Sequence, residues 1–500
     1  MTNYTKTAVK GVGIILITSL AAAFFGYVVR LILARGLTIE EFGLFYAVFA
    51  FLALLSVFKT LGFDRALSRF IPTFKHNKEY GNIKGAIVYS SIIQAVTSSI
   101  IIAGVYIFSD YLSSSYFHSN QASRVLIIMA IAFLFDSFIL VLKFAFQGFR
   151  NPILFSGIDL IRMILVGLIA WIGMRNGYGI MSVLVAYLVT PIIILFIFGG
   201  ILIKKVFPEF LKYKIQFSKD LFKKVSRYSI FTMASSFGRV ILGYTDTIML
   251  TYFLGLKSVA LYNVALPTSQ LLAYFPRAIG DYLIPLSSEL WVKKEINLLK
   301  EGLKVLYKYS VIILTPAVLA LFSFSDVIIA IFYGHAYEPA TNALRILSIG
   351  MLFTALYSIN LSFFAGIGKP ELNSKIVYSG AIFNFVTNLM AIPILGIEGA
   401  AMTTSLTYLL MMIAGLVYMK KSVAIEFPFF SWIKTLFAGA VFLILSEIIK
   451  NALPLNDWMK VFVVPLICGV FYFGMLFLLK VIDIKEVKDI YKRIMKSPSD

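Results

Sequence analysis

Cysteine is nearly absent from this chain of 500 residues: Cys468, in an apolar run, is the single one. That excludes an internal disulfide and leaves no cysteine cluster to hold a metal. Charge is scarce too, at 14% of residues against 60% hydrophobic. With a mean hydropathy of +0.89, little of the chain can belong to a water-soluble domain, and none of it is large enough to house an active site. The three histidines, His76, His118 and His335, lie in or beside loops. No G-x-x-x-x-G-K-[ST] or H-E-x-x-H pattern occurs, so neither a P-loop nor a zinc-protease site is present. The sequence therefore points away from an enzyme and calls for no cofactor or metal.

What fills the chain is apolar helix. Runs of about 20 residues, enough to cross roughly 30 Å of hydrocarbon, recur along its length. Fourteen spans are expected, at about 11–34, 42–62, 83–108, 124–146, 153–173, 180–203, 227–252, 259–286, 307–331, 343–366, 375–395, 398–419, 432–450 and 459–480. The first resembles a signal peptide at its start, but its apolar stretch runs to Ala34, too long for one, and it is expected to be retained. A net charge of +20 would suggest nucleic acid in a soluble protein. Here it follows from Lys and Arg gathering on one face of a membrane. With the N-terminus in the cytoplasm, inner segments hold 33 of these residues and outer segments six, which predicts both termini inside. The four tryptophans (Trp171, Trp291, Trp432, Trp458) fall near span ends, as an aromatic belt requires.

The chain also echoes itself. A shift of 217 positions puts Phe42-Gly43-Leu44-Phe45 on Val259-Ala260-Leu261-Tyr262, and Asp64 on Asp281. A shift of 218 puts Gln147-Gly148-Phe149-Arg150-Asn151-Pro152 on Ala365-Gly366-Ile367-Gly368-Lys369-Pro370, and one of 220 puts Gly179 on Gly399. This predicts two six-helix lobes, 1–203 and 227–420, joined by a Lys-rich cytoplasmic linker at 204–226 that faces lipid headgroups. Two further spans follow within 430–480, and a basic amphipathic tail at 481–500. Six is even, so the repeats should be parallel, with a central cavity opened to either side by rocking.

Charges at membrane depth are the informative residues, since each costs about 2.5–3.5 kcal/mol at a helix centre. They are Arg30, Lys59, Arg162, Arg239 and Arg277 among cations, and Asp136, Asp159, Asp246 and Asp281 among acids. Asp159/Arg162, Arg239/Asp246 and Arg277/Asp281 each share a helix face. Two readings stay open for Asp159/Arg162 and Arg277/Asp281: neutralisation within the helix, or a cavity. Lys59 either snorkels to the inner surface or lines the cavity; Arg345 reads as a snorkelling anchor. Arg30 and Arg239, with no acidic neighbour within a turn, are the better cavity candidates. The acids would balance charge or couple to an ion, with Asp136 a proton carrier or a hydrogen-bonded structural residue. A cavity with fixed guanidinium groups suits an anion, and phosphate in particular.

The 6+6+2 spans, the stretch Gly43–Pro72 and the Phe146–Pro152 turn resemble the polysaccharide transporter branch of the multidrug/oligosaccharidyl-lipid/polysaccharide (MATE-like) exporter superfamily, nearest the O-antigen and teichoic-acid flippases. The family motif Gly-x-Asp-x-Ala-x-x-Arg stands here as Gly62-Phe63-Asp64-Arg65-Ala66-Leu67-Ser68-Arg69. The resemblance implies a cell-membrane flippase that moves a polyprenyl-(pyro)phosphate-linked oligosaccharide from the cytoplasmic to the outer leaflet, with membrane lipids and a glycan polymerase or glycosyltransferases as partners. It implies phosphate contacts from the cations, and a cytoplasmic motif role for Asp64, Arg65 and Arg69. The related lipid II flippases carry arginines on their first two spans and on span 8, where Arg30, Lys59 and Arg277 fall. A Na⁺- or H⁺-driven multidrug exporter is the alternative; it would use an acidic residue in span 1, and this span 1 has none. A non-transporting scaffold for glycan synthesis is a third.

Overall fold

The computed structural model describes residues 3–216 and 219–482. Among them are sixteen α-helices and no strand. The fold is that of a multi-pass membrane protein: large apolar side chains such as Phe196, Ile394 and Leu478 stand 80–84% exposed, which is tolerable only against lipid. Eleven helical stretches are long and apolar enough to span. The longest, Pro370–Val423, is two helices joined at a bend. Of the expected spans, those at 227–252 and 259–286 are absent from the eleven, because the first carries charge and the second is broken by Pro267, a short 3-10 turn and Pro285.

The chain forms two compact units, residues 1–260 and 261–500. In the first, α1 (Asn3–Gly36) packs along α6 (Pro152–Arg175). The most buried helix is α2 (Ile39–Thr60), packed against α5 (Ala122–Gly148) and α8 (Lys219–Leu254). Its start is fixed by a capping box in which Thr38 and Glu41 satisfy each other's backbone N–H groups. Its end is fixed by Leu61 and Gly62, both with positive φ. A Cβ on Gly62 would lie 2.3 Å from the Ser229 carbonyl of α8, so only glycine fits. The chain then enters α3 (Phe63–His76), an amphipathic helix whose Phe63, Leu67, Ile71 and Phe74 are buried while Arg69 and Lys75 are exposed. It packs on α4 (Tyr80–Ser115), α5 and α8. Helix α7 (Ile180–Ile201) lies against α5 and α6. Thus α8, which the repeat assigns to the second copy, packs inside the first unit.

The linker expected to be a solvated loop is exposed from Leu211 to Gln216 but is anchored to the first unit at a few points. Phe207, 1% exposed, packs on Phe149 and Tyr80. Gln216 N–H donates to Gly81 O, and Lys84 Nζ to Tyr213 O. The tail expected at 481–500 lies outside the described residues beyond position 482.

The second unit is built from α9 (Leu256–Gln270), most of which lies beyond the boundary, α10 (Tyr274–Val292), α11 (Ile296–Ser323), α12 (Ser325–Phe332), α13 (Thr341–Gly366), α14 (Pro370–Val423), α15 (Phe429–Ala452) and α16 (Asp457–Leu478). The last two pack on α11, and Lys450 bonds both Asp326 oxygens at 2.9 Å. Buried Asn384, Asn388, Thr403 and Thr404 hydrogen-bond across the two halves of α14, holding the bend shut where apolar side chains alone would specify little.

Local backbone geometry repeats between the units. Lys78 and Lys294 share φ of 59° and 60°, each followed by a glutamate whose N–H closes back five residues. Arg150 and Gly368 are both left-handed, and Asn151 and Lys369 each bond a carbonyl five residues back at 2.9 Å. Gly179 (φ 49°, ψ −133°) matches Gly396 (φ 65°, ψ −140°) and not Gly399, so the shift there is 217 and not 220. An L side chain is strained in that conformation. Gly396→Ala should therefore cost about 1–3 kcal/mol, read as a lower melting temperature of the detergent-solubilised protein, while Gly474→Ala, with open space around it, should leave it unchanged.

Candidate functional site

The hairpin α5–α6 brings the membrane-depth charges together. The helices run antiparallel across the turn at Asn151, whose side chain caps α6. Asp136 and Lys143 lie on α5, Asp159 and Arg162 on α6. Antiparallel packing sets Lys143 against Asp159, and Asp136 against Arg162 at 2.7 Å. The i,i+3 pair Asp159/Arg162 is therefore not closed on itself; both members reach across to α5. Alternating signs on either side of the turn are the signal that the sequence offers for this pairing, and Lys143 is the member not among the membrane-depth charges named above.

Lys59, near the end of α2, joins from a third helix. It does not snorkel. It is 2% exposed, donates to the Phe133 carbonyl at 3.0 Å, lies 4.8 Å over the Phe133 ring, and is 3.8 Å from Asp136 Oδ2. Asp136 thus stands between two cations. A buried cation needs a counter-charge or a wet cavity, and here both are present. A cavity of about 310 Å³ is lined by Lys59, Asp64, Arg65, Asp136, Arg162 and aromatic side chains, with Met233, Val240 and Tyr244 of α8 forming one wall. Three cations face two carboxylates. Asp64, at the start of α3, is 5% exposed, and burial pushes its carboxyl above the ordinary carboxylate range.

Phe49 organises the aromatic side, with ring centroids 5.9 Å from Phe133, 6.3 Å from Tyr244 and 6.4 Å from Tyr187. Arg30 stands apart from the cavity lining: its guanidinium lies 4.3 Å over the Tyr46 ring. Arg239 is exposed on α8 while Asp246 is 4% exposed, so the shared helix face does not give them one environment. Arg69 lies 4.6 Å over Tyr228 and does not line the cavity. Arg345 is half-buried, its Nε without an acceptor. The side chains of Arg277 and Asp281 lie outside the described residues. No group of three or more His, Cys, Asp or Glu among the described residues could hold a metal.

The pattern of the family described as "Polysaccharide biosynthesis protein" matches residues 8–291, more than half of the chain. The chain belongs to that family. A second pattern, MatE, matches residues 232–390. An uncharacterized membrane protein of Methanocaldococcus jannaschii is 36% identical over 99% of this chain and 100% of its own length. The Haloferax volcanii protein named "Probable low-salt glycan biosynthesis flippase Agl15" is 23% identical over 41% of this chain and 44% of its own. Among solved structures, the inward closed conformation of the lipid II flippase MurJ superposes with a TM-score of 0.72 at 16% identity, covering 93% of this chain and 98% of that one. The fold is thus MurJ- and MATE-like, and this member of the family is a transmembrane transporter of the polysaccharide branch, as the resemblance implied.

The central carboxylate sets a measurable cost. Asp136→Leu strips buried Lys59 and half-buried Arg162 of their counter-charge and should destabilise the protein by about 3–5 kcal/mol. Asp159, 40% exposed beside Lys143, should cost only about 0–1 kcal/mol when changed to Leu. Thermal unfolding of both variants in one detergent checks the difference.

Proposed function

We propose that this protein flips a polyprenyl-(pyro)phosphate-linked oligosaccharide from the cytoplasmic to the outer leaflet by alternating access. The observation that carries the reading is the cationic, aromatic-walled cavity around Lys59 and Arg162. Its net positive charge favours an acidic headgroup, guanidinium and ammonium groups both donate to phosphate, and ring faces offer apolar surface to sugar C–H groups. Membership of a polysaccharide biosynthesis family and a likeness to proteins named as glycan and lipid II flippases support the same substrate class. In this reading Lys59 and Arg162 bind the phosphate, Arg30, Arg239 and Arg277 meet it along its path, and Asp136, Asp159, Asp246 and Asp281 balance charge. Asp64, Arg65 and Arg69 form the cytoplasmic end.

The topology that goes with it has fourteen spans as six, six and two, with both termini in the cytoplasm. The recurring turns at shifts of 216–218 support the duplication, and the Lys/Arg asymmetry supports the orientation. Enzymes that build or polymerise the glycan would act before and after the transport step. The multidrug alternative is not favoured: a drug cation would need free carboxylates, and Asp136 already faces two cations.

The test is export of surface glycan in a host lacking its own flippase. Lys59→Gln and Arg162→Gln each remove a charge-assisted contact of about 1.5–3 kcal/mol. Each should lower export about 10- to 100-fold, with membrane insertion unchanged and lipid-linked glycan accumulating inside. Normal export in both would sink the assignment, and drug resistance lost in parallel would favour the exporter instead.

A further inference from the structure

The Asp136 carboxylate on the cavity lining is held by charge, and its buried Oδ1 accepts no aligned hydrogen bond from the described residues. Arg162 Nη1 lies 2.7 Å from Asp136 Oδ1, yet the geometry is not that of a hydrogen bond: Oδ1 is buried and accepts from no described donor. Lys59 Nζ stays 3.8 Å from Oδ2 and donates to the Phe133 carbonyl instead. Arg162 Nε is buried and also lacks an acceptor. An ion pair kept for rigidity is normally short, aligned and fully hydrogen-bonded. This one leaves a guanidinium N–H unused and turns the ammonium to a backbone carbonyl, beside a cavity of about 310 Å³. It also under-neutralises its site, with one carboxylate between two cations. A phosphate or pyrophosphate, with more charge and acceptor oxygens on several sides, would match both cations at once.

Resting on the substrate reading above, we propose that Asp136 is a built-in stand-in for the substrate's phosphate, neutralising Lys59 and Arg162 in the empty carrier and giving way when the phosphate arrives. The exchange breaks no covalent bond. It gives the empty site a counter-charge without a ligand, and it limits affinity, because the displaced carboxylate remains beside the bound anion and repels it. Asp64 and Arg65 share the cavity and set its background charge; Asp64 is felt by Lys59 across the cavity but forms no ion pair with it. Asp136 is in this sense a positioning residue: it acts on the substrate through the two cations and sets how readily it leaves.

The probe is farnesyl pyrophosphate, titrated calorimetrically into the purified full chain at fixed pH and salt. Asp136→Asn removes the competing charge and should bind the probe at least about tenfold tighter than wild type, while exporting glycan more slowly because release is impaired. Asp136→Glu should bind no tighter than wild type. A second variant guards against a folding defect. Asp136→Cys in a Cys468→Ala background is neutral as the thiol and regains one negative charge on reaction with carboxyethyl methanethiosulfonate. The thiol form should bind tightly, and the charged adduct of the same polypeptide should fall back about tenfold. Equal or weaker binding by Asp136→Asn, together with no change when the cysteine is charged, overturns the proposal. If Lys59→Gln and Arg162→Gln still weaken binding in that case, the substrate reading survives without it. If no variant and not the wild type binds the probe, or the two cation variants bind like wild type, both fall.

Discussion

Two cations set among apolar helices, Lys59 buried and Arg162 half-buried, share one carboxylate, and much of the first unit is arranged to make that tolerable. Lys59 arrives from α2, Arg162 from α6 and Asp136 from α5. Each would be expensive alone in hydrocarbon. Together they fix how three helices meet, because sliding any helix by a turn would separate charges that have no other partner at that depth. The neighbouring Lys143–Asp159 pair repeats the constraint one step nearer the turn, so the hairpin is locked in register by two ion pairs of opposite sense.

The surroundings follow from the same requirement. Helix α2 must end where its lysine can reach inward, and it does so through two residues of positive φ, Leu61 and Gly62. Gly62 lets α8 approach closely enough to wall the cavity. The family motif that begins at this glycine then places Asp64 and Arg65 on the cavity rim and sends Arg69 to Tyr228 instead. One motif thus serves two tasks: the glycine and the aspartate shape the site, while the second arginine anchors an amphipathic helix.

In the second unit, uncharged polar side chains do part of the structural work. Asparagine and threonine side chains bridge the two halves of α14 around Gly396. These residues carry no charge, so a search for membrane-depth charges passes over them. Cations and carboxylates line a cavity in the first unit, while an amide and hydroxyl network closes the bend of α14 in the second.

Much was written in the sequence. Apolar runs of bilayer length and scarce charge determined a multi-pass helical protein, because hydrocarbon leaves the backbone few alternatives to the helix. The motif Gly62–Arg69 and the spacing of repeats carried the family. The membrane-depth charges were legible as a set, since their expense makes each one conspicuous. Their partners were not. Asp159 and Arg162 share a helix face and look like a pair, yet each is matched across the hairpin, and Lys59 turned inward where snorkelling was open to it. Arg30 and Arg239, the most promising by spacing, fall outside the cavity lining. Periodicity along one helix fixes only the direction a side chain leaves it; which charge waits there depends on how neighbouring helices pack, and that was decided by the tertiary structure alone.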